Sequence, residues 1–207
     1  LPLAAQNHQT GVLAKTILCR AAADRKYFLD AGLTRCHIGV NFDETTLIDN
    51  QLLNHMQEWT GSSDLSWLTV EVLETALLHR SWPHIQNNLR RLADQGAAIS
   101  LDDFGTGYAS LQHLLSVPCK AIKIDRSFVA RLEDDLGAAQ IVCSMIEMAR
   151  SLAISVVIEG VETDQQLRYF RDRWSGLRAQ GFGIGKPVDI DSAVFFVRDK
   201  LCNPAYA

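Results

Sequence analysis

Short apolar runs alternate with amphipathic stretches along this chain, and that alternation is the strongest constraint on its fold. The runs lie at 36–42, 67–72, 97–102, 120–125, 154–159 and 177–182. Between and around them, apolar residues recur at helical spacing over 12–29, 49–59, 83–93, 108–115, 136–152, 164–174 and 192–201. In the helix at 136–152 the inward face is read as Ile141, Met145 and Met148. Strands of about five residues alternating with longer helices predict a parallel sheet, either doubly wound or rolled into a (β/α) barrel. No stretch rich in Pro, Gly or Ser divides the chain, so one domain over 1–207 is expected.

The second constraint is what stands at the strand ends. The runs finish in Asn41, Glu71, Asp102 with Asp103, Lys123 with Asp125, Glu159 and Gln180. In either α/β architecture the C-terminal ends of parallel strands share one face, where sites form. The set is oxygen-rich with one ammonium, and hard oxygen donors select Mg²⁺ or Mn²⁺ over zinc. Asp102 and Asp103 are adjacent, and two such charges repel unless a cation or proton neutralises them. They stand before the glycine-bracketed turn Gly105-Thr106-Gly107, so one of them could instead simply cap the next helix. Glu71 sits between Val70 and Val72, an awkward place for an idle carboxylate. Glu74 reads equally as a first-turn helix charge, Asn41 as a turn former, and Lys123 as half of a structural ion pair.

Other chemistries find little support. The net charge of −4 argues against a broad nucleic-acid footprint, though not against a small phosphate ligand. The five cysteines, Cys19, Cys36, Cys119, Cys143 and Cys202, form no CxxC pair, which fits a reducing compartment better than a disulfide framework. No apolar run approaches the length of a membrane span. The histidines form no constellation, and the Gly105-Thr106-Gly107 turn lacks the lysine of a P-loop. Trp59, Trp67, Trp82 and Trp174 read as packing residues.

The motifs together resemble the EAL domains, a family of cyclic-di-GMP phosphodiesterases. The resemblance rests on 40–42 (VNF), 70–75 (VEVLET), 101–111 (LDDFGTGYASL), 122–129 (IKIDRSFV), 158–163 (IEGVET) and 180–187, from Gln180-Gly181-Phe182 through Lys186-Pro187. It implies a (β/α)8 TIM-like barrel with one antiparallel strand. It also implies two Mg²⁺ or Mn²⁺ ions per site, with Asn41, Glu71 and Asp102 on one and Asp102 and Asp103 on the other. Lys123 would then stand beside the attacking water, and Glu159 would be the general base or hold a water of the second metal. Glu74 would anchor the loop after Asp103 and couple metal binding to dimerisation. Asp125, Glu162 and Gln180 would help place the substrate and an outer water. The implied reaction is hydrolysis of cyclic-di-GMP to linear pGpG; the alternative is an inactive receptor or dimerisation module. The implied partners are cyclic-di-GMP, a second copy in a homodimer and an upstream sensor or diguanylate-cyclase-like domain, with no nucleic acid; the implied location is cytoplasmic for the domain, by itself or as part of a membrane-attached protein.

The chain departs from the family pattern in places. The tripeptide Glu-Ala-Leu, which gives the first metal a carboxylate, does not occur in it. About six strands are visible, so an N-terminally incomplete barrel with an open seam is expected. The opening Leu1 suggests a chain that begins inside a longer protein. Asp43 stands where the family usually has Ser, and Ile158 where it often has Ala; both were expected near the pocket.

Overall fold

Each strand of the sheet presents a buried apolar face and a partly polar one, and the helices cover the apolar side. A computed structural model describes residues 10–107, 111–132 and 134–202. The order is α1 (Thr10–Asp30), β1 (Ile38–Phe42), α2 (Glu44–Leu47), α3 (Leu52–Thr60), β2 (Leu68–Leu73), a 3-10 turn (Glu74–Leu78), α4 (Trp82–Asp94), β3 (Ala98–Phe104), α5 (Leu111–Ser116), β4 (Cys119–Ile124), α6 (Arg126–Val129), α7 (Leu136–Ser151), β5 (Ser155–Ile158), α8 (Asp164–Arg171), β6 (Arg178–Ala179) and α9 (Ile190–Cys202). The start expected for α5 at Tyr108 and the small polar segment from Leu3 lie outside the described residues.

The six strands are all parallel and lie in chain order, β1 to β6. A doubly wound sheet would reverse direction at a switch point; unbroken sequential order is the winding of a (β/α) barrel. Among the described residues no further strand pairs with the outer edge of β1 or β6, and none is antiparallel. The sheet is therefore a curled part-barrel. Its first and last helices meet: the Tyr27 hydroxyl donates to Asp191, and the Arg198 guanidinium donates to the main-chain carbonyl of Ala31, just past α1.

Alternation along the strands sorts the two faces. Val40, Phe42, Leu68, Val70, Val72, Ile99, Leu101, Ile122, Ile124, Val156 and Ile158 are all buried against the helical layer. Ile85, Leu89 and Leu92 of α4 meet this layer as their spacing predicts. On the other face stand Gly39, Asn41, Thr69, Glu71, Ser100, Asp102, Ala121 and Lys123, small or polar throughout. The core thus lies outside the sheet, and the concave side is left for chemistry.

One expectation needs correction. Ile141 of α7 points outward and is 49% exposed, whereas Val142 and Ile146 are fully buried beside Met145. The buried stripe is Ala138, Val142, Met145, Ile146 and Ala149; Ile141 shares the 3-4 spacing with Ala138 and Met145 but lies on the solvent border of that stripe. Ile158 adjoins the pocket only through its backbone, its carbonyl accepting from the Gln180 amide; its side chain is buried in the outer layer against the helices. Two short helices, α2 and α6, escaped the periodicity reading because four residues carry no period. No helix among the described residues is long and apolar enough to cross a membrane.

The matched pair on α7 tests this packing. Ile146→Ala is expected to cost about 2–5 kcal/mol, and Ile141→Ala less than about 1 kcal/mol, in urea denaturation. Equal losses would mean that the assigned face of α7 is wrong.

Candidate active site at the strand ends

The site is built where β3 breaks its register. Leu101 pairs with Ile122 and Phe104 with Ile124, so β3 carries one residue more than β4 between those pairs. This is a β-bulge at Asp102 and Asp103, and Asp103 takes a left-handed backbone with φ of 52°. On a regular strand these neighbours would point to opposite faces. The bulge turns both carboxylates to one side, where carboxylate oxygens of Asp102, Asp103 and Glu159 lie within 4.8 Å of one another.

Lys123 reaches this cluster from β4. Its Nζ stands 3.0 Å from Glu71 Oε2, 3.0 Å from Asp102 Oδ1 and 2.7 Å from Glu159 Oε1. The lysine is only 6% exposed. Desolvation disfavours its charge, but the hydrogen bonds it donates to Glu159, Asp102 and Glu71, with the charge of Glu71, outweigh that and hold its pKa above the usual lysine range. Four carboxylates thus face one ammonium. The imbalance shows in the acids: burial, and then the charges of Asp102 and Asp125, push the Asp103 carboxyl up. Burial also raises Glu159, against the pull of Lys123 and with help from Asp102 and Asp103.

The remaining predicted residues surround this centre. Glu71 lies in register with Asn41, on the same face. Its carboxylate passes over Gly39, where an added Cβ would stand 2.4 Å from Glu71 Oε1, so no larger residue fits at position 39 with Glu71 in this pose. Asn41 is exposed at the rim of edge strand β1. Gln180 donates its amide to Glu159 Oε1. Asp125 accepts from the Ser127 amide at 2.9 Å as the cap of α6 and neighbours Asp103. Glu162 is exposed along a cleft of about 530 Å³ that also includes Glu159 and Gln180.

Glu74 stands apart from the carboxylate cluster. It is 3% exposed, and its Oε2 accepts backbone N–H groups from Gly105 at 2.8 Å and Gly107 at 3.1 Å. Glu74 does stand in the first turn of the 3-10 segment Glu74–Leu78, and its side chain also ties down the loop at Gly105 and Gly107. Asp43 caps α2, accepting from the Thr46 amide at 2.8 Å, as a serine could. Sequence reasoning missed Gln166, whose Oε1 accepts from the Glu162 and Thr163 amides and so fixes the loop after Glu159. Its signal was legible: Thr163-x-x-Gln166 is a capping box.

The EAL domain family model matches residues 1–187. This chain belongs to the EAL domain family. The domain is 34% identical to the cyclic di-GMP phosphodiesterase NbdA of Pseudomonas aeruginosa, over 95% of this chain and 25% of that protein. It is 37% identical to the probable cyclic di-GMP phosphodiesterase PdeG of Escherichia coli, over 79% of this chain and 32% of that protein. It therefore spans about a quarter to a third of the length of these relatives. Among solved structures, the PaMucR phosphodiesterase in complex with c-di-GMP superposes with a TM-score of 0.85 at 30% identity, covering 93% of this chain and 78% of that one. The EAL domain of Mycobacterium smegmatis DcpA gives a TM-score of 0.80 at 28% identity, covering 92% and 86%.

Two substitutions probe the EAL site without metal. Asp103→Asn suits the left-handed backbone, because Asn tolerates it best after Gly. An acid raised by its surroundings destabilises the fold above its folded pKa and does nothing below its unfolded one. In EDTA, Asp103→Asn should therefore raise the melting temperature by a few degrees at pH 7. The gain should vanish at acid pH; an equal gain at both would show that charge is not the cause. Glu74→Ala removes a charged acceptor from two loop amides and should cost about 1.5–3 kcal/mol. Amide exchange at Gly105 and Gly107 should quicken by more than that at β3; uniform exchange would count against the anchor.

Proposed function

We propose that this EAL domain hydrolyses one phosphodiester bond of cyclic-di-GMP and releases linear pGpG. The observation that carries the reading is the meeting of Asp102, Asp103 and Glu159 around Lys123 at one rim of the barrel. The relatives named as cyclic-di-GMP phosphodiesterases support the substrate class. The donor set is all oxygen with excess negative charge, which fits hard divalent cations. Asn41, Glu71 and Asp102 would hold one Mg²⁺ or Mn²⁺, and Asp102 and Asp103 a second. When bound, the two ions supply Lewis acidity that activates the attacking water and stabilises charge on the phosphoryl oxygens.

The chain's own groups do the rest. Lys123 stays protonated among the acids, donates to the attacking oxygen and offsets charge as it develops. Glu159, raised by burial, accepts the water's proton, and the Gln180 amide holds its carboxylate in place. The water oxygen bonds to phosphorus, the P–O3′ bond breaks, and the freed O3′ takes up a proton from solvent. Glu162 and Asp125 position the nucleotide. Glu74, through Gly105 and Gly107, transmits the state of Asp103 to a homodimer partner. Fusion to an upstream cyclase-like domain fits the name of MucR, a bifunctional diguanylate cyclase/cyclic di-GMP phosphodiesterase 34% identical to this chain.

A second reading is a cyclic-di-GMP receptor without turnover. The observation in its favour is that Lys123 already bridges three carboxylates. Chromatography of cyclic-di-GMP incubated with the protein and Mg²⁺, Mn²⁺ or Ca²⁺ separates the two. The enzyme gives pGpG with Mg²⁺ or Mn²⁺ and is inhibited by Ca²⁺; the receptor returns unchanged, bound ligand. Lys123→Ala is expected to slow hydrolysis by at least about 10²-fold. A near-normal rate would remove Lys123 from the mechanism. Asp103→Asn should abolish turnover while some nucleotide binding survives.

A further inference from the structure

The buried amide of Gln166 makes one bond more than its helix requires. Gln166 is only 8% exposed and stands in the first turn of α8. A capping box asks its side chain for one bond, from the N–H of the cap residue Thr163, and that bond is present at 3.2 Å. The same oxygen, Oε1, also accepts the N–H of Glu162, at the shorter distance of 2.8 Å. The amide nitrogen donates to the carbonyl of Val129, the last residue of α6, at 3.5 Å.

The two N–H groups belong to the peptide planes on either side of the Glu162 α-carbon. A residue has only two soft backbone dihedrals, and these set the angle between those planes. One acceptor that holds both planes therefore fixes φ and ψ of Glu162, and with them the direction in which its side chain leaves the backbone. The loop is closed from its other side as well. The Val161 carbonyl accepts from Gly183 at 2.9 Å, and an added Cβ at Gly183 would stand 2.8 Å from the Glu162 carbonyl carbon. The Glu162 side chain is exposed along the cleft that Glu159 and Gln180 also line. Its aim is thus set by its backbone rather than by packing.

Resting on the function proposed above, we infer that Gln166 is a positioning residue: by holding the Glu162 and Thr163 N–H groups on one oxygen, it aims the Glu162 carboxylate at the cyclic dinucleotide in the cleft. Gln166 acts on the ligand only through Glu162. Its bond to Val129 brings the short helix after β4 into the same arrangement. That helix is capped by Asp125. The two residues assigned to placing the nucleotide, Asp125 and Glu162, are therefore joined through one buried amide.

Calorimetric binding of cyclic-di-GMP, with Ca²⁺ present to suppress turnover, tests this in a double-mutant cycle. Gln166→Met keeps the length and burial of the side chain but removes the acceptor, and it should weaken affinity at least about tenfold. In a Glu162→Ala background the same change should weaken it less than about threefold, because the side chain being aimed is gone. Gln166→Glu keeps an acceptor oxygen in either protonation state and should stay within about threefold of the unaltered protein. In metal-free protein, amide exchange at Glu162 and Thr163 should quicken at least about tenfold in Gln166→Met and not in Gln166→Glu. If Gln166→Met does not fold, Gln166→Asn, one methylene too short to reach both amides, takes its place in every arm. Unchanged affinity in Gln166→Met overturns the inference and leaves the proposed function standing. So does an equal loss with and without Glu162, or in Gln166→Met and Gln166→Glu alike, since either marks a merely structural role. If the unaltered protein binds no cyclic-di-GMP, the proposed function fails and the inference with it.

Discussion

Mutual repulsion among Glu71, Asp102, Asp103 and Glu159 is the constraint around which the rest of the molecule is arranged. Four carboxylates at one strand rim are unfavourable in a part-buried setting unless positive charge enters. The protein supplies one ammonium, Lys123, and gives it three carboxylate partners at 2.7–3.0 Å. One positive charge does not balance four negative ones; burial first, and then the neighbouring carboxylates, raise the Asp103 and Glu159 carboxyls. A site left electrically unfinished in this way is prepared for cations from outside.

Holding such a rim together requires rigidity elsewhere. The apolar face of the sheet supplies it: Leu68, Ile99, Leu101, Ile122, Ile124 and Ile158 are all fully buried. These residues alternate with the functional ones, so the strand that buries Ile122 and Ile124 also delivers Lys123. Packing energy on one face offsets electrostatic cost on the other through a shared backbone. The loops are secured in turn by local devices. Glu74 holds the turn after Asp103, and Gln166 holds the turn after Glu159. Both act on backbone N–H groups, which would otherwise be poorly satisfied beside an acidic site.

Much of this was legible before any coordinates. Periodicity located every strand, because the apolar runs are dense and are bounded by glycines and acids. It placed Ile85, Leu89 and Leu92 correctly on α4. It failed on α7, where apolar residues occur on more than one face and Ile141 was assigned inward; only packing decides which face wins. The four-residue helices α2 and α6 were invisible for lack of any period. Ile158 lies beside the pocket in the chain, but nearness in sequence does not fix which way its side chain turns. Along a strand, neighbours face opposite ways, and Ile158 faces the helices while Glu159 faces the rim. Glu74 was undecidable from sequence, since a first-turn charge and a loop anchor look alike until the partner amides are seen.

Linear order was enough to establish strand–helix alternation, a polar group at each strand end, and the oxygen-rich character of those groups. These are local properties, set by side-chain period and by chemical type. Family membership was also written there, in motifs long enough to be specific together. Alternation alone left barrel and doubly wound sheets open; the family motifs implied the barrel, and the tertiary structure shows its unbroken strand order. It alone revealed the bulge that turns Asp102 and Asp103 to one side, because register between strands is a relation between distant segments. It alone joined Glu71, Lys123 and Glu159, which are separated by 52 and 36 residues in the chain. Charges so far apart in sequence interact only when the fold closes the distance, and Coulomb energy depends on that distance and on the solvent excluded from it.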